Sequence, residues 1–103
     1  MVKKYNKVVI RKSSNPAKKL DAVFSNTYGG RTKTVSFGSA KMDDYTIKKD
    51  KEQRARYRSR HKKDLQTGDP TRAGYLSWYI LWGASTSRRE NIASYKKRFG
   101  FVK

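Results

Sequence analysis

The sequence predicts an α+β fold: a small N-terminal antiparallel β-meander of about three strands, followed by about three short helices. Three observations predict it. Residues 5–37 carry short apolar or alternating runs separated by two turn clusters. Beyond Gly38 strand formers thin out and helix formers take over. That second part is punctuated by capping patterns and stop glycines. The expected organisation is one small basic domain over 1–103, β-rich in 1–38 and helical in 43–100.

The first strand is Tyr5 to Arg11, β-branched and apolar at its centre. Ser13-Ser14-Asn15-Pro16 is a turn. The second strand, Lys19 to Phe24, puts Leu20, Ala22 and Phe24 on one face and Asp21 and Val23 on the other. Asn26-Thr27-Tyr28-Gly29-Gly30 is the next turn, and Thr32 to Phe37 alternates as a third strand. Such a sheet needs a helix or a partner on its apolar face.

Asp50-Lys51-Glu52-Gln53 is a loose capping box that opens a helix over Lys51 to Lys63. Asp69 as N-cap and Pro70 at the first helical position start a second helix, which runs to Trp82 and stops at Gly83. Ser87-Arg88-Arg89-Glu90 is a full capping box for a third helix that ends at Gly100. Ile92, Tyr95 and Phe99 form its apolar stripe.

Val, Ile, Leu and Phe supply only 18 of 103 residues, under the ~20% that, with high charge, signals disorder. Seven tyrosines and two tryptophans add apolar area that this sum ignores. A small, marginal core follows. There is no cysteine to reinforce it. The N-terminus has no apolar h-region of a signal peptide. Trp78 to Trp82 is the longest apolar run and is too short to span a bilayer.

Charge dominates the chemistry. Lys and Arg number 26 against 8 Asp and Glu, a formal net charge of +18. The excess is spread along the whole chain, so the body is cationic rather than one tail. It calls for an anionic partner: phosphate, carboxylate or an acidic protein surface. The densest segment gives the predicted anion-binding residues Arg54, Arg56, Arg58, Arg60, Lys62 and Lys63. On a helix, Arg54 and Arg58 fall on one side and Arg56 and Arg60 nearly opposite. Cations on two sides suit insertion between two anionic surfaces. Tyr57 and His61 share a third stripe, expected to face the sheet. The plain alternative is a solvated charged helix.

The segment Tyr75 to Trp82 is apolar all round, and a helix of that kind is buried on all sides. So small a domain cannot easily bury it completely. Trp78, Tyr79 and Trp82 are therefore the predicted protein-interface anchors, with Trp82 the most exposed. The plain alternative is a core helix between sheet and third helix.

Catalytic groups are scarce. His61 is the single histidine, set among arginines that disfavour its protonation. Gly29-Gly30 lacks the surrounding pattern of a phosphate loop. Asp43, Asp44, Asp50 and Glu52 could attract a divalent cation, but lysine pairing and helix capping account for them. The expectation is a non-enzymatic protein with no metal and no cofactor.

The block Thr34-Val35-Ser36-Phe37-Gly38, Asp44-Tyr45-Thr46, Lys49-Asp50-Lys51-Glu52, Arg56-Tyr57, Arg60-His61-Lys62-Lys63, Asp69 to Ser77 and Ile80-Leu81-Trp82-Gly83 resembles a small basic family of uncharacterised proteins. Those proteins belong to large nucleocytoplasmic DNA viruses, chlorella viruses and their relatives among them. The resemblance runs from about Val35 to the end. It implies a viral protein, found in the virion and in the host cell during assembly. On that basis the expected function is a minor capsid protein, with other viral capsid proteins as partners in a large assembly. A membrane surface is a further possible contact. The alternative is a nucleic-acid-binding protein that condenses or packages the genome, with DNA as partner.

Overall fold

The computed structural model describes residues 5–102. The chain is α+β, with a three-stranded antiparallel sheet followed by helices. Strands β1 (Lys7–Lys12), β2 (Lys18–Ser25) and β3 (Lys33–Ser39) lie in the order β1-β2-β3. The predicted meander is present, with each strand shifted or extended by one or two residues. The first turn is closed by Asn15, whose side chain accepts from Ala17 N (2.9 Å) while its carbonyl accepts from Lys18 N (3.0 Å).

Register makes the sheet two-faced. Val8 pairs with Phe24, Ile10 with Ala22, Ala22 with Val35 and Leu20 with Phe37. This row faces the core, where Val8, Ala22, Phe24 and Phe37 are fully buried. The opposite face carries Val9, Arg11, Val23 and Thr34. Asp21 lies on that face yet is buried, because the Ser13 and Ser36 hydroxyls both donate to it at 2.6 Å.

Helices cover the core face. A single turn, α1 (Tyr45–Lys48), precedes α2 (Lys51–His61), which tightens into a 3-10 segment, Lys62–Thr67. Asp50 caps α2 by accepting from Glu52 N (2.9 Å) and Gln53 N (3.2 Å). The predicted helix from Pro70 begins later, as α3 (Ala73–Leu76), and continues as a π-helical turn, Ser77–Leu81. The reason is local. The Asp69 carboxylate accepts from Thr71 N (2.9 Å) and the Thr71 hydroxyl (2.7 Å), as an N-cap does, but Arg72 takes extended backbone (φ −81°, ψ 149°), so the turn stops there and the helix starts anew at Ala73. The Pro70 carbonyl accepts from the Tyr95 hydroxyl.

Helix α4 (Arg88–Phe99) starts at Ser87 and stops at Gly100, as its signals predict. Gly100 adopts φ 73°, the left-handed region in which glycine avoids Cβ strain. Only half of the capping box forms. Ser87 Oγ accepts from Glu90 N (3.3 Å), but the Glu90 carboxylate accepts from Ser85 Oγ (2.9 Å) instead of reaching back. Tyr95 and Phe101 join Phe24, Phe37, Leu76, Ile80, Leu81 and Trp82 in one core. None of the helices is long and apolar enough to cross a membrane among the described residues.

The α2 edge and the pocket behind it

A π turn leaves carbonyls poorly served, and α2 supplies the donors. Trp82 N bonds Ser77 O at 3.0 Å, five residues back. The Trp82 carbonyl then accepts from Arg54 Nε (3.2 Å) and Arg58 Nη1 (2.9 Å), and the Gly83 carbonyl accepts from Arg54 Nε (2.8 Å). Both guanidiniums also lie over aromatic rings, Arg54 5.5 Å from the Tyr45 centroid and Arg58 4.1 Å from that of Trp78. Burial and the neighbouring Arg54 charge lower the pKa of Arg58 from its ordinary value. Arg54 and Arg58, both half-buried, are thus engaged by groups within the chain. Arg56, Arg60, Lys62 and Lys63 remain exposed. These exposed cations lie along one edge of the segment.

Two of the three predicted aromatic anchors are buried within the chain. Trp82 is 7% exposed and Trp78 6%. Trp82 stacks on Tyr57 with centroids 4.3 Å apart and planes within 6°. His61 stacks on the other partner of that pair, 4.2 Å from the Tyr57 ring. The Tyr57–His61 stripe therefore meets the π turn. Burial raises the Tyr57 hydroxyl to about 12, with Asp64 adding to the shift. Tyr79 is half-buried, edge-on to Phe99 at 5.2 Å and covered by the Arg98 guanidinium at 5.1 Å. The small domain does bury this segment, because α4 and α2 close over what the sheet leaves open.

Two acidic groups, Asp21 and Asp44, are buried. Asp44 is fully buried and accepts from Lys19 Nζ (2.6 Å), Arg88 Nη2 (3.2 Å) and both the amide and hydroxyl of Thr46. Desolvation opposes its ionisation, but the Lys19 and Thr46 bonds and the two cations outweigh it and lower its pKa. Asp21 is lowered by the Ser13 and Ser36 hydroxyls. Asp64 accepts at 3.0 Å from His61 Nδ1, a weak exposed contact. The predicted acidic cluster is dispersed: Asp44 pairs, Asp50 caps, and Glu52 is exposed. Among the described residues no group of three His, Cys, Asp or Glu is placed to hold a metal.

Behind the free edge lies a pocket of about 280 Å³, lined by residues of β2, β3, α2 and the π turn. Gln53, Tyr57, Arg60 and His61 form its α2 wall; Lys19, Met42, Asp43, Ser77 and Trp82 contribute to the rest. Gln53 Oε1 is buried and is the only buried side-chain polar atom without a hydrogen-bond partner among the described residues. Asn91, turned inward, is marked by no sequence pattern, and Gln53 stands in the loose capping box, where nothing signals that its oxygen is enclosed. Asn91 Nδ2 donates to the Ile80 (2.9 Å) and Ser85 (2.7 Å) carbonyls, so it ties α4 to the end of the π turn.

No curated protein and no solved structure matches the chain. A family model matches residues 8–61, from the core of β1 through the last residue of α2, and so spans nearly all of the sheet, Asp44 and two of the four exposed edge cations, Arg56 and Arg60. The chain therefore belongs to the family of unknown function DUF5754.

Proposed function

We propose that the protein is a non-enzymatic structural component of a virus particle, a minor capsid protein whose α2 edge adheres to an acidic capsid or membrane-facing surface. The viral setting rests on the sequence resemblance. The adhesive role rests on one observation: Arg56, Arg60, Lys62 and Lys63 are exposed on one edge while Arg54 and Arg58 are fixed from behind. Fixed partners hold the edge in place, so binding costs little ordering of the backbone.

The test is quadruple charge reversal, Arg56→Glu, Arg60→Glu, Lys62→Glu and Lys63→Glu, followed by quantification of the protein in assembled particles. Loss of incorporation with a retained fold is expected. Unchanged incorporation rejects the role of this edge.

A second reading, a nucleic-acid-binding packaging protein, is favoured by spacing. Arg56 and Arg60 are one helical turn apart, about 6 Å along the axis, and the row continues to Lys63, which suits successive backbone phosphates. This reading requires a steep salt dependence of duplex binding, with a log–log slope of about −0.9 per phosphate contact. Absence of binding at about 150 mM salt, where screening is strong, rejects it.

A further inference from the structure

We infer that a groove along α4 docks an acidic amphipathic segment of a partner protein, with an apolar side chain on its floor and carboxylates on its rim. The groove measures about 890 Å³ and is lined by Arg89, Ile92, Ala93, Lys96, Lys97 and Phe101. None of these belongs to α2 or to the pocket behind it, so the inference goes beyond the adhesive edge. Arg89, Ala93, Lys96 and Lys97 share one helix face, with Ile92 beside them. Arg89 and Lys97 are about 12 Å apart along the axis. Ile92 is half-buried, Ala93 is exposed, and Phe101 keeps 8% of its surface open at the base. Phe101 is fixed from below. Its ring stacks on Tyr95 with centroids 5.7 Å apart and leans on Phe24 at 5.7 Å, and its amide donates to the Lys96 carbonyl at 2.9 Å. The Val102 amide donates to the Asn6 carbonyl at 2.8 Å, which ties this segment to the sheet. A floor held this way costs little ordering when a partner binds.

Charge complementarity selects the occupant. Three cations and no carboxylate line the groove. Arg89, Lys96 and Lys97 form no ion pair among the described residues. Glu90, the one acid of α4, lies outside the lining and accepts from Ser85 Oγ at 2.9 Å. Helix electrostatics does not account for the set. Lys96 and Lys97 suit the last turn, but Arg89 stands in the first turn, where the dipole disfavours a cation. Carboxylates satisfy the rim, and the apolar floor requires that an apolar side chain come with them. An amphipathic helix laid in the groove supplies both. A phosphate backbone satisfies the rim and leaves the floor in water. A second copy brings +18 against +18, which opposes association.

The experiment titrates the full chain into a fluorescent glutamate-rich peptide with a central Phe-Leu pair, read by anisotropy at about 150 mM salt. A second peptide carries serines in place of that pair, and duplex DNA and phosphatidylserine vesicles serve as further anionic probes. The Phe-Leu peptide is expected to saturate one site. The serine peptide should bind about tenfold more weakly, the loss that follows from one apolar side chain no longer buried. Ala93→Glu sets a carboxylate one turn from both Arg89 and Lys97, at spacings that support the helix. It should preserve the melting temperature and lower Phe-Leu peptide affinity about tenfold. Arg56→Ala with Lys63→Ala, on the α2 edge, should leave that affinity unchanged. Four outcomes overturn the inference: no saturable peptide binding; the two peptides binding alike, which means charge alone; peptide affinity indifferent to Ala93→Glu, which puts the site elsewhere; or Ala93→Glu weakening DNA or vesicle binding as much as peptide binding, which assigns the groove to phosphates. Each would leave the adhesive role standing, because Arg56, Arg60, Lys62 and Lys63 lie outside this lining.

Discussion

Arg58 donates to the carbonyl oxygen of Trp82 at 2.9 Å, from a helix 24 residues earlier in the chain. That bond separates two kinds of arginine on one helix. Arg54→Ala removes the side-chain donor of the Gly83 carbonyl and uncovers Tyr45, and Arg58→Ala removes the shorter of the two bonds to the Trp82 carbonyl and uncovers Trp78. Each should lower unfolding free energy by about 1–3 kcal/mol. Arg56→Ala and Arg60→Ala should change it by less than about 0.5 kcal/mol while weakening polyanion binding. Urea unfolding of the four variants checks this. Equal stability losses across all four would reject the division. Arg58→Lys should recover little, because an ammonium lacks the planar fork that both stacks on Trp78 and reaches the carbonyl.

The acid limb of stability belongs to Asp44, Asp21 and Asp69, whose pKa values all lie below the ordinary aspartate value. A lowered folded-state pKa means that the unfolded chain binds protons first as pH falls. Their contribution is therefore complete above about pH 4, the unfolded aspartate range, and is lost as pH drops through the folded values. Unfolding free energy should be flat from neutrality to about pH 4 and fall below it. Asp44→Ala strands buried Lys19 without its carboxylate, a change that costs about 3–5 kcal/mol at neutral pH. It should also flatten the acid limb. A variant that keeps the wild-type pH profile would show that Asp44 is not its source.

At high pH the sign reverses. Tyr57 ionises near 12 in the fold but near 10 in the unfolded chain, so the unfolded state loses its proton first and stability falls as pH rises above about 10. Tyr95, buried and raised further in the same direction by desolvation and Asp69, adds to the loss. Tyr57→Phe should be measurably less sensitive between pH 10 and 12 in equilibrium unfolding. Identical alkaline profiles would mean that the Tyr57 phenol is solvated.

The fold class was legible because the sheet is written in period-two alternation and the helices in caps: Ala22 and Phe24 face inward beside outward Val23, and Asp50, Ser87 and Gly100 act where their residue types direct. The site was legible only in part. A run of arginines announces charge but not which guanidiniums face a carbonyl. That depends on the π turn, whose i→i+5 geometry moves Trp82 off the 3.6-residue stripe and onto Tyr57. Asp69-Pro70 reads as a helix start and Asp69 does accept from Thr71 N, yet extended backbone at Arg72 breaks the turn before Ala73. Trp82 reads as an exposed anchor in a chain with few aliphatic residues, but Tyr57 stacks on it and the core cluster takes it in. Gln53 reads as the last position of a loose capping box, and nothing there signals that its oxygen is enclosed.

Gly83 tests the stack from its far end. A Cβ there would collide with the Tyr79 carbonyl oxygen and approach the Asn91 side chain at 2.9 Å. Both groups are fixed: Tyr79 O belongs to the backbone of the π turn, and Asn91 is buried and held by the Ile80 and Ser85 carbonyls. Gly83→Ala must therefore displace the loop whose carbonyls receive Arg54. The cost of such overpacking is about 1–3 kcal/mol, and more when backbone must move. Because the displacement propagates to Trp82, the variant should also loosen the Tyr57–Trp82 stack. The expected result is a lower urea midpoint together with greater quenching of tryptophan emission by acrylamide. Gly29→Ala, where nothing lies within 4 Å of the added methyl, carries only the strain of its positive φ of 102° and should leave tryptophan accessibility unchanged. If Gly83→Ala lowered stability without altering quenching, the loop and the stack would be independent, and the coupling of Arg54, Gly83 and Trp82 would fail.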